Sequence, residues 1–251
     1  MKIINFILLS FIFFIASGQN SEYKTGLPST DFEQIDSSNY INVLSHYMDT
    51  AFFNRYEFEI VDFEKEDSLN GIKKNKILFV GSSSFRKWLN MEKDLFPLPV
   101  LNRGFGGSTM PEADYYFFRI VKPYKPKAIV IYEGDNDVLA PFLTPEVILK
   151  SFDIFVQLLN QNLPDTKIFF VSIKPSPSRF QYLSKMKETN TLIKKYCRKN
   201  KNLFYIDITK PMFDKNGRIR EDIFGKDELH MNEIGYKIWA KIIKNELLKN
   251  L

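Results

Sequence analysis

Ile77-Leu78-Phe79-Val80-Gly81-Ser82-Ser83-Ser84-Phe85 is the stretch that decides the fold: four consecutive apolar residues run into a glycine, and three serines follow. An unbroken apolar run of this length is the pattern of a strand covered on both faces, as in a parallel sheet. The glycine then permits a tight turn from strand to helix. Outward along the chain the pattern recurs. Val100 to Leu101, Ala128 to Tyr132, Ile168 to Ser172 and Leu203 to Ile206 are further short β-rich runs, and Pro145 to Asn162 and Gln181 to Lys199 are long enough for crossover helices. Residues 41 to 68 also have a helical pattern, ahead of the first strand. This βαβ succession predicts an α/β fold with a doubly wound, five-stranded parallel sheet. Such sheets bind ligands beyond the carboxyl ends of their strands, so the residues just past each strand are the candidates for chemistry.

Four strand-end segments carry suitable groups. In Gly81-Ser82-Ser83-Ser84-Phe85 a serine hydroxyl can stand at a helix amino terminus, where free N–H groups favour developing negative charge, although serine-rich turns also serve as plain caps. Asn102-Arg103-Gly104-Phe105-Gly106-Gly107-Ser108-Thr109 is a glycine-rich turn that lets backbone approach a ligand. No lysine follows its glycines and its spacing is not that of a dinucleotide fingerprint, so an oxyanion fits it as well as a phosphate does. Tyr132-Glu133-Gly134-Asp135-Asn136-Asp137 offers an amide in Asn136, and in Asp135 and Asp137 two carboxylates that can cap a helix or bind a cation. Finally, Asp227-Glu228-Leu229-His230 precedes the last helix, with Asn232 suited to cap it, and Asp227 can orient the imidazole and stabilise its charged form. The other histidine, His46, has Asp49 one turn on and fits an ordinary helix surface.

The bulk composition bounds the reading. A chain of 251 residues, 44% hydrophobic and 26% charged, suits one globular domain and argues against disorder or a multi-span membrane protein. Lys2, an apolar stretch from Ile3 to Ala16 and small residues at Ala16-Ser17-Gly18 form the pattern of a secretory signal peptide over residues 1–18; the alternative, a retained membrane anchor, fits less well because the run is shorter than the about 20 apolar residues a span needs and contains Asn5. A polar leader is expected over 19–40 and a single domain over 41–251. Removing residues 1–18 takes away only Lys2, so the net charge of +5 falls to +4. The lysines, as at Lys73, Lys74 and Lys76 or at Lys194 and Lys195, suit a solvated face better than a nucleic-acid footprint. Cys197, the sole cysteine, excludes an internal disulfide and suits a buried helix position.

Taken together and in this order, the four segments resemble the signature blocks of the SGNH hydrolases, also called GDSL-like lipases and esterases. The resemblance extends over most of residues 76 to 248, and Phe79-Val80-Gly81-Ser82-Ser83-Ser84, Asn102 to Ser108 and Gly134-Asp135-Asn136-Asp137 are similar to a bacterial subgroup. It implies a flavodoxin-like three-layer α/β/α sandwich, a nucleophile at Ser83, and oxyanion donors at Gly107, Asn136 and the Ser83 N–H. The acid and base of the triad fall on Asp227 and His230. The family's usual Gly-Asp-Ser is Gly81-Ser82-Ser83 here. That aspartate is no triad member, so the chemistry is expected to survive, with Ser82 turned into the elbow in its place and Ser84 one helical step away from the imidazole.

The resemblance thus implies a serine esterase that needs no cofactor and takes a small-molecule or carbohydrate ester, acetylated glycans being one class, and the amino-terminal pattern implies its export. No nucleic-acid partner and no stable membrane insertion after signal cleavage are expected, and the oligomeric state is left open. Two rivals remain: a metal-dependent phosphoesterase with Asp135, Asp137, Asp227 and His230 as ligands, and a non-catalytic glycan-binding module on the same fold. The loop Lys174-Pro175-Ser176-Pro177-Ser178-Arg179 either borders the substrate pocket or is a proline-stiffened turn. Trp88 and Arg86 fit core and surface positions of the first helix after the elbow.

Overall fold

Five short runs become strands, and two of them are apolar throughout because both their faces are covered. β1 (Ile77–Gly81) and β3 (Ala128–Tyr132) are buried along their whole length. With β2 (Val100–Gly104), β4 (Lys167–Val171) and β5 (Leu203–Ile206) they form, in this computed structural model, a parallel five-stranded sheet of order β2-β1-β3-β4-β5. The structure describes residues 50–251. The expected signal peptide, the polar leader, His46 and the start of the expected first helix lie outside the described residues. The chain divides into two units between Phe52 and Phe53, and the second, Phe53–Leu251, holds the sheet and the residues of the candidate site.

The helices in chain order are α1 (Thr50–Asn54), α2 (Glu57–Asn70), α3 (Ser83–Arg86), α4 (Met91–Leu95), α5 (Met110–Tyr115), α6 (Phe117–Ile120), α7 (Pro145–Asn162), α8 (Leu183–Cys197) and α9 (Glu233–Asn250). Because side chains alternate along a strand, each strand feeds two layers. On one face Ile77, Phe79, Val130, Phe169 and Val171 pack with Phe85, Trp88, Met91, Trp239 and Ile243 from α3, α4, α9 and their connections. On the other, Phe170 meets Phe152 of α7, with ring centroids 4.8 Å apart. The result is the three-layer α/β/α sandwich. Trp88 stacks on Tyr236 at 5.2 Å and is fully buried, and burial of an aromatic this large contributes roughly 1.5–3 kcal/mol. Among the described residues no helix is long and apolar enough to cross a membrane.

Several boundaries differ from the sequence expectation. The second strand continues through Asn102, Arg103 and Gly104, so the glycine-rich turn starts only at Phe105. The polar residues hide that extension because their partners are remote: buried Arg103 pairs with Glu66 and Asp67 of α2 at 3.0 and 2.9 Å and donates to the Tyr124 hydroxyl at 2.8 Å. The helix expected to run to residue 68 reaches Asn70 but is broken at Arg55 and Tyr56. There Arg55 turns to Glu112, which it holds through two bonds of 2.7 Å. Cys197 is buried at the end of α8, where burial pushes its thiol up to about 12.

Candidate active site

Sheet order alone brings three of the four segments together. Gly81, the last residue of β1, is in register with Gly104 of β2 on one side and Tyr132 of β3 on the other. Ser83, the Phe105–Thr109 turn and Asn136 therefore leave neighbouring strands at the same edge. Gly81 is required at the elbow by a close approach: a Cβ there would lie 2.3 Å from the Tyr132 carbonyl oxygen, which already accepts the Ser82 N–H. Ser83 is the first residue of α3, where backbone N–H groups have no acceptor within the helix.

The fourth segment has farther to come. β5 stands at the far edge, and the chain returns from it through a loop pinned by bridges between Phe213 and Ile219 and between Phe224 and Met231. That loop places His230 Nε2 2.8 Å from Ser83 Oγ, and His230 Nδ1 2.6 Å from Asp227 Oδ2. The other oxygen of Asp227 accepts the backbone N–H groups of His230 and Leu229 at 3.0 and 3.2 Å, so the carboxylate fixes its own loop. Behind it, Asn232 caps α9 through the Gly235 N–H, and the Tyr236 hydroxyl donates to the Ser84 carbonyl at 2.8 Å, tying the helix to the elbow.

The electrostatics follow from these contacts. Burial opposes ionisation of Asp227, but the His230 ring and the two backbone N–H groups hold its carboxyl well below the usual range. The Nδ1 proton is thus directed to Asp227, which leaves Nε2 to accept the Ser83 hydroxyl. Burial lowers the His230 pKa, Asp227 opposes this, and Lys87 and Lys174 lower it further. Lys87 Nζ stands 3.0 Å from Nδ1 and 3.6 Å from Asp227 Oδ2.

Of the three adjacent serines, the structure sets Ser83 against the imidazole. Ser82 is buried and its hydroxyl has no hydrogen-bond partner among the described residues. Ser84 is buried as well. Gly107 lies beside the Asn136 amide, since a Cβ added there would be 3.6 Å from its oxygen and 3.7 Å from its nitrogen. Asn136 Nδ2 donates to the Ser108 carbonyl at 2.8 Å, which leaves its second N–H for another acceptor. The Ser108 hydroxyl in turn donates to Glu133 at 2.6 Å, a carboxyl raised well above its usual range by burial and by Asp137.

Asp135 and Asp137 face inward. Asp135 pairs with Lys174 and with Arg179 at 2.8 Å and accepts the Tyr132 hydroxyl at 2.9 Å. Burial opposes its charge, but Lys174 and Arg179 hold it below the usual carboxylate range. Asp137 accepts the Met110 and Gly134 N–H groups at 2.9 Å each, and burial pushes it up to about 7. Among the described residues no group of three or more histidine, cysteine or acidic side chains is placed to hold a metal. Trp88 is core, and Arg86 lies at the surface on Glu59 at 2.9 Å.

Sequence reasoning missed several neighbours of the site. Lys87 could have been found from its place one turn after Ser83. Tyr56 and Glu59 carry no local signal: Glu59 accepts the Gly106 N–H at 3.0 Å, and a Cβ on Gly106, whose φ is +43°, would lie 2.1 Å from the Tyr56 ring.

A family model described as GDSL-like lipase/acylhydrolase matches residues 80–238. Among solved structures the chain is similar to a GDSL-like lipase from Bacteroides thetaiotaomicron, at 22% identity over 76% of this chain and 98% of that one, with a TM-score of 0.66. It is similar also to an acetyl xylan esterase, at 19% identity over 68% of this chain and 99% of that one, with a TM-score of 0.59. A carbohydrate esterase family 3 protein from Talaromyces cellulolyticus is 16% identical over 70% of this chain and 97% of that one, with a TM-score of 0.57. No curated protein matches the chain.

Proposed function

The chain belongs to the GDSL-like lipase/acylhydrolase family and is a carboxylic ester hydrolase, and on that premise we propose a serine esterase in which Ser83 attacks, His230 is the base and Asp227 orients it. The hydrogen-bonded line from Ser83 Oγ through His230 to Asp227, at 2.8 and 2.6 Å, is the observation that carries this reading. His230 Nε2 takes the Ser83 proton as Oγ adds to the ester carbonyl, and the imidazolium is stabilised by Asp227. The Ser83 and Gly107 N–H groups and the Asn136 amide meet the tetrahedral oxyanion. Collapse of that intermediate expels the alcohol, which takes the proton from His230. Water activated by His230 then adds to the acyl-enzyme, and a second collapse releases the acid and returns the proton to Ser83.

The substrate class is esters of short acyl groups, with acetyl esters of carbohydrates first among them; the fold shared with an acetyl xylan esterase and a carbohydrate esterase supports this choice. Residues 1–18 act as an export signal, which fits a substrate outside the cytoplasm.

The test combines p-nitrophenyl acyl esters and acetylated oligosaccharides with a fluorophosphonate probe. The wild type is expected to hydrolyse acetyl esters and to be labelled. Ser83→Ala should lose about 10⁴- to 10⁶-fold in turnover and all labelling, whereas Ser82→Ala and Ser84→Ala should lose about tenfold or less. Folded wild type that turned over no ester and took no label would leave only a binding module, and a dead Ser82→Ala or Ser84→Ala variant would move the nucleophile.

A further inference from the structure

The loop Lys174-Pro175-Ser176-Pro177-Ser178-Arg179 takes no part in the steps above, yet it touches both halves of the site. The Ser178 N–H and hydroxyl both donate to the Glu228 carbonyl, at 3.2 and 3.1 Å, between Asp227 and His230. Glu228 has a φ of +54°, so this carbonyl sits where the loop makes its left-handed turn. At the other end of the segment, the largely buried Arg179 forks: Nη1 donates to the Asp135 carboxylate at 2.8 Å and to the Asp135 carbonyl, and Nη2 donates to Asn136 Oδ1 at 2.9 Å.

The Nη2 arm has a directional consequence. A guanidinium only donates, so it pairs with the oxygen end of a carboxamide and not with the nitrogen end. With Oδ1 held by Arg179, Asn136 Nδ2 must face the opposite way, towards the Ser108 carbonyl. A positive charge on Oδ1 also draws electron density from the amide and makes its N–H a stronger donor. Asp135 does not account for this arm, because Lys174 and Tyr132 already serve that carboxylate and Nη2 is not spent on it. Pro175 and Pro177 restrict the backbone that leads to Arg179.

We propose that Arg179 is a positioning residue for the oxyanion site: by gripping Asn136 Oδ1 it fixes the amide so that the N–H not given to the Ser108 carbonyl points towards the reacting carbonyl oxygen. This rests on Asn136 being an oxyanion donor. Arg179 touches no substrate atom and acts on the transition state through Asn136.

The experiment is a double-mutant cycle on hydrolysis of p-nitrophenyl acetate. Asn136→Ala should lower kcat by about 10²- to 10³-fold, the usual effect of removing one oxyanion donor. Arg179→Ala should lower kcat by about 10- to 100-fold with KM changed less than about threefold, since it loosens that donor without removing it. The double variant should be no worse than Asn136→Ala alone. Arg179→Lys keeps a cation beside Asp135 but lacks the second arm, so it should lose as much as the alanine variant at a near-native thermal midpoint, and it carries the comparison if the alanine variant does not fold. Losses that multiply in the double variant, or wild-type kcat in Arg179→Lys, would overturn the positioning role and leave the triad untouched. Wild-type kcat in Asn136→Ala would remove the oxyanion assignment, and the role of Arg179 with it.

Discussion

Asp227→Asn is expected to disable the enzyme through a tautomer. Oδ1 of Asp227 faces two backbone N–H groups, from His230 at 3.0 Å and Leu229 at 3.2 Å, so in the asparagine variant the amide oxygen must stay at that position. The amide nitrogen is then forced to the other, 2.6 Å from His230 Nδ1 in the wild type. Two donors cannot face each other, so Nδ1 gives up its proton and accepts. Lys87 Nζ, 3.0 Å from Nδ1, then donates to the same atom and favours that state. The ring proton moves to Nε2, which now donates to Ser83 Oγ across 2.8 Å instead of accepting from it. With no base for the nucleophile, kcat should fall by about 10⁴, or about 5.4 kcal/mol of transition-state stabilisation at about 1.36 kcal/mol per tenfold. Because the Asp227 side chain is 46% exposed, the thermal midpoint should scarcely move. The assay is steady-state hydrolysis of an acetyl ester, with Asp227→Ala alongside. The alanine variant imposes no tautomer and should keep more activity than the asparagine one. A folded Asp227→Asn enzyme within tenfold of wild-type kcat would refute the role given to Asp227.

Lys87→Met should move the acid limb of kcat/KM to higher pH. His230 must be neutral to act, burial, Lys87 and Lys174 hold its pKa below 6.5 against Asp227, and loss of one of these cations raises it. The profile should be taken at low salt, and a limb that stayed in place or moved down would refute the sign. Exhaustive chelation should leave acetyl ester turnover unchanged, because Asp135 is committed to Lys174 and Arg179 and Asp137 to backbone N–H groups; rescue of a chelated, inactive sample by a divalent metal would argue for the phosphoesterase reading. Export should remove residues 1–18, and an intact mass that still includes Met1 to Gly18 in protein from its native compartment would indicate a retained anchor.

Much of the architecture is legible in the sequence because burial on both faces is written locally. The runs at Ile77 and Ala128 are apolar at consecutive positions, and the helix over Pro145–Asn162 coincides with the expected one. The strand ends named the segments worth attention, and the pairing of Asp227 with His230 could be read from a separation of three residues. What stayed hidden has its partner far along the chain. Asn102 and Arg103 look like loop until the acids of α2 that hold Arg103 are in view. The proline-rich loop after β4 gives no hint that Arg179 reaches Asn136, 43 residues away. The sequence by itself determined the strands, the crossover helices and the segments at the carboxyl edge of the sheet, because hydrophobic periodicity records how each stretch is buried. Only the tertiary structure brought Ser83 within 2.8 Å of an imidazole 147 residues away, and decided which cations flank it. Those contacts depend on strand order and on where the loop beyond β5 returns, and no local pattern of burial encodes either.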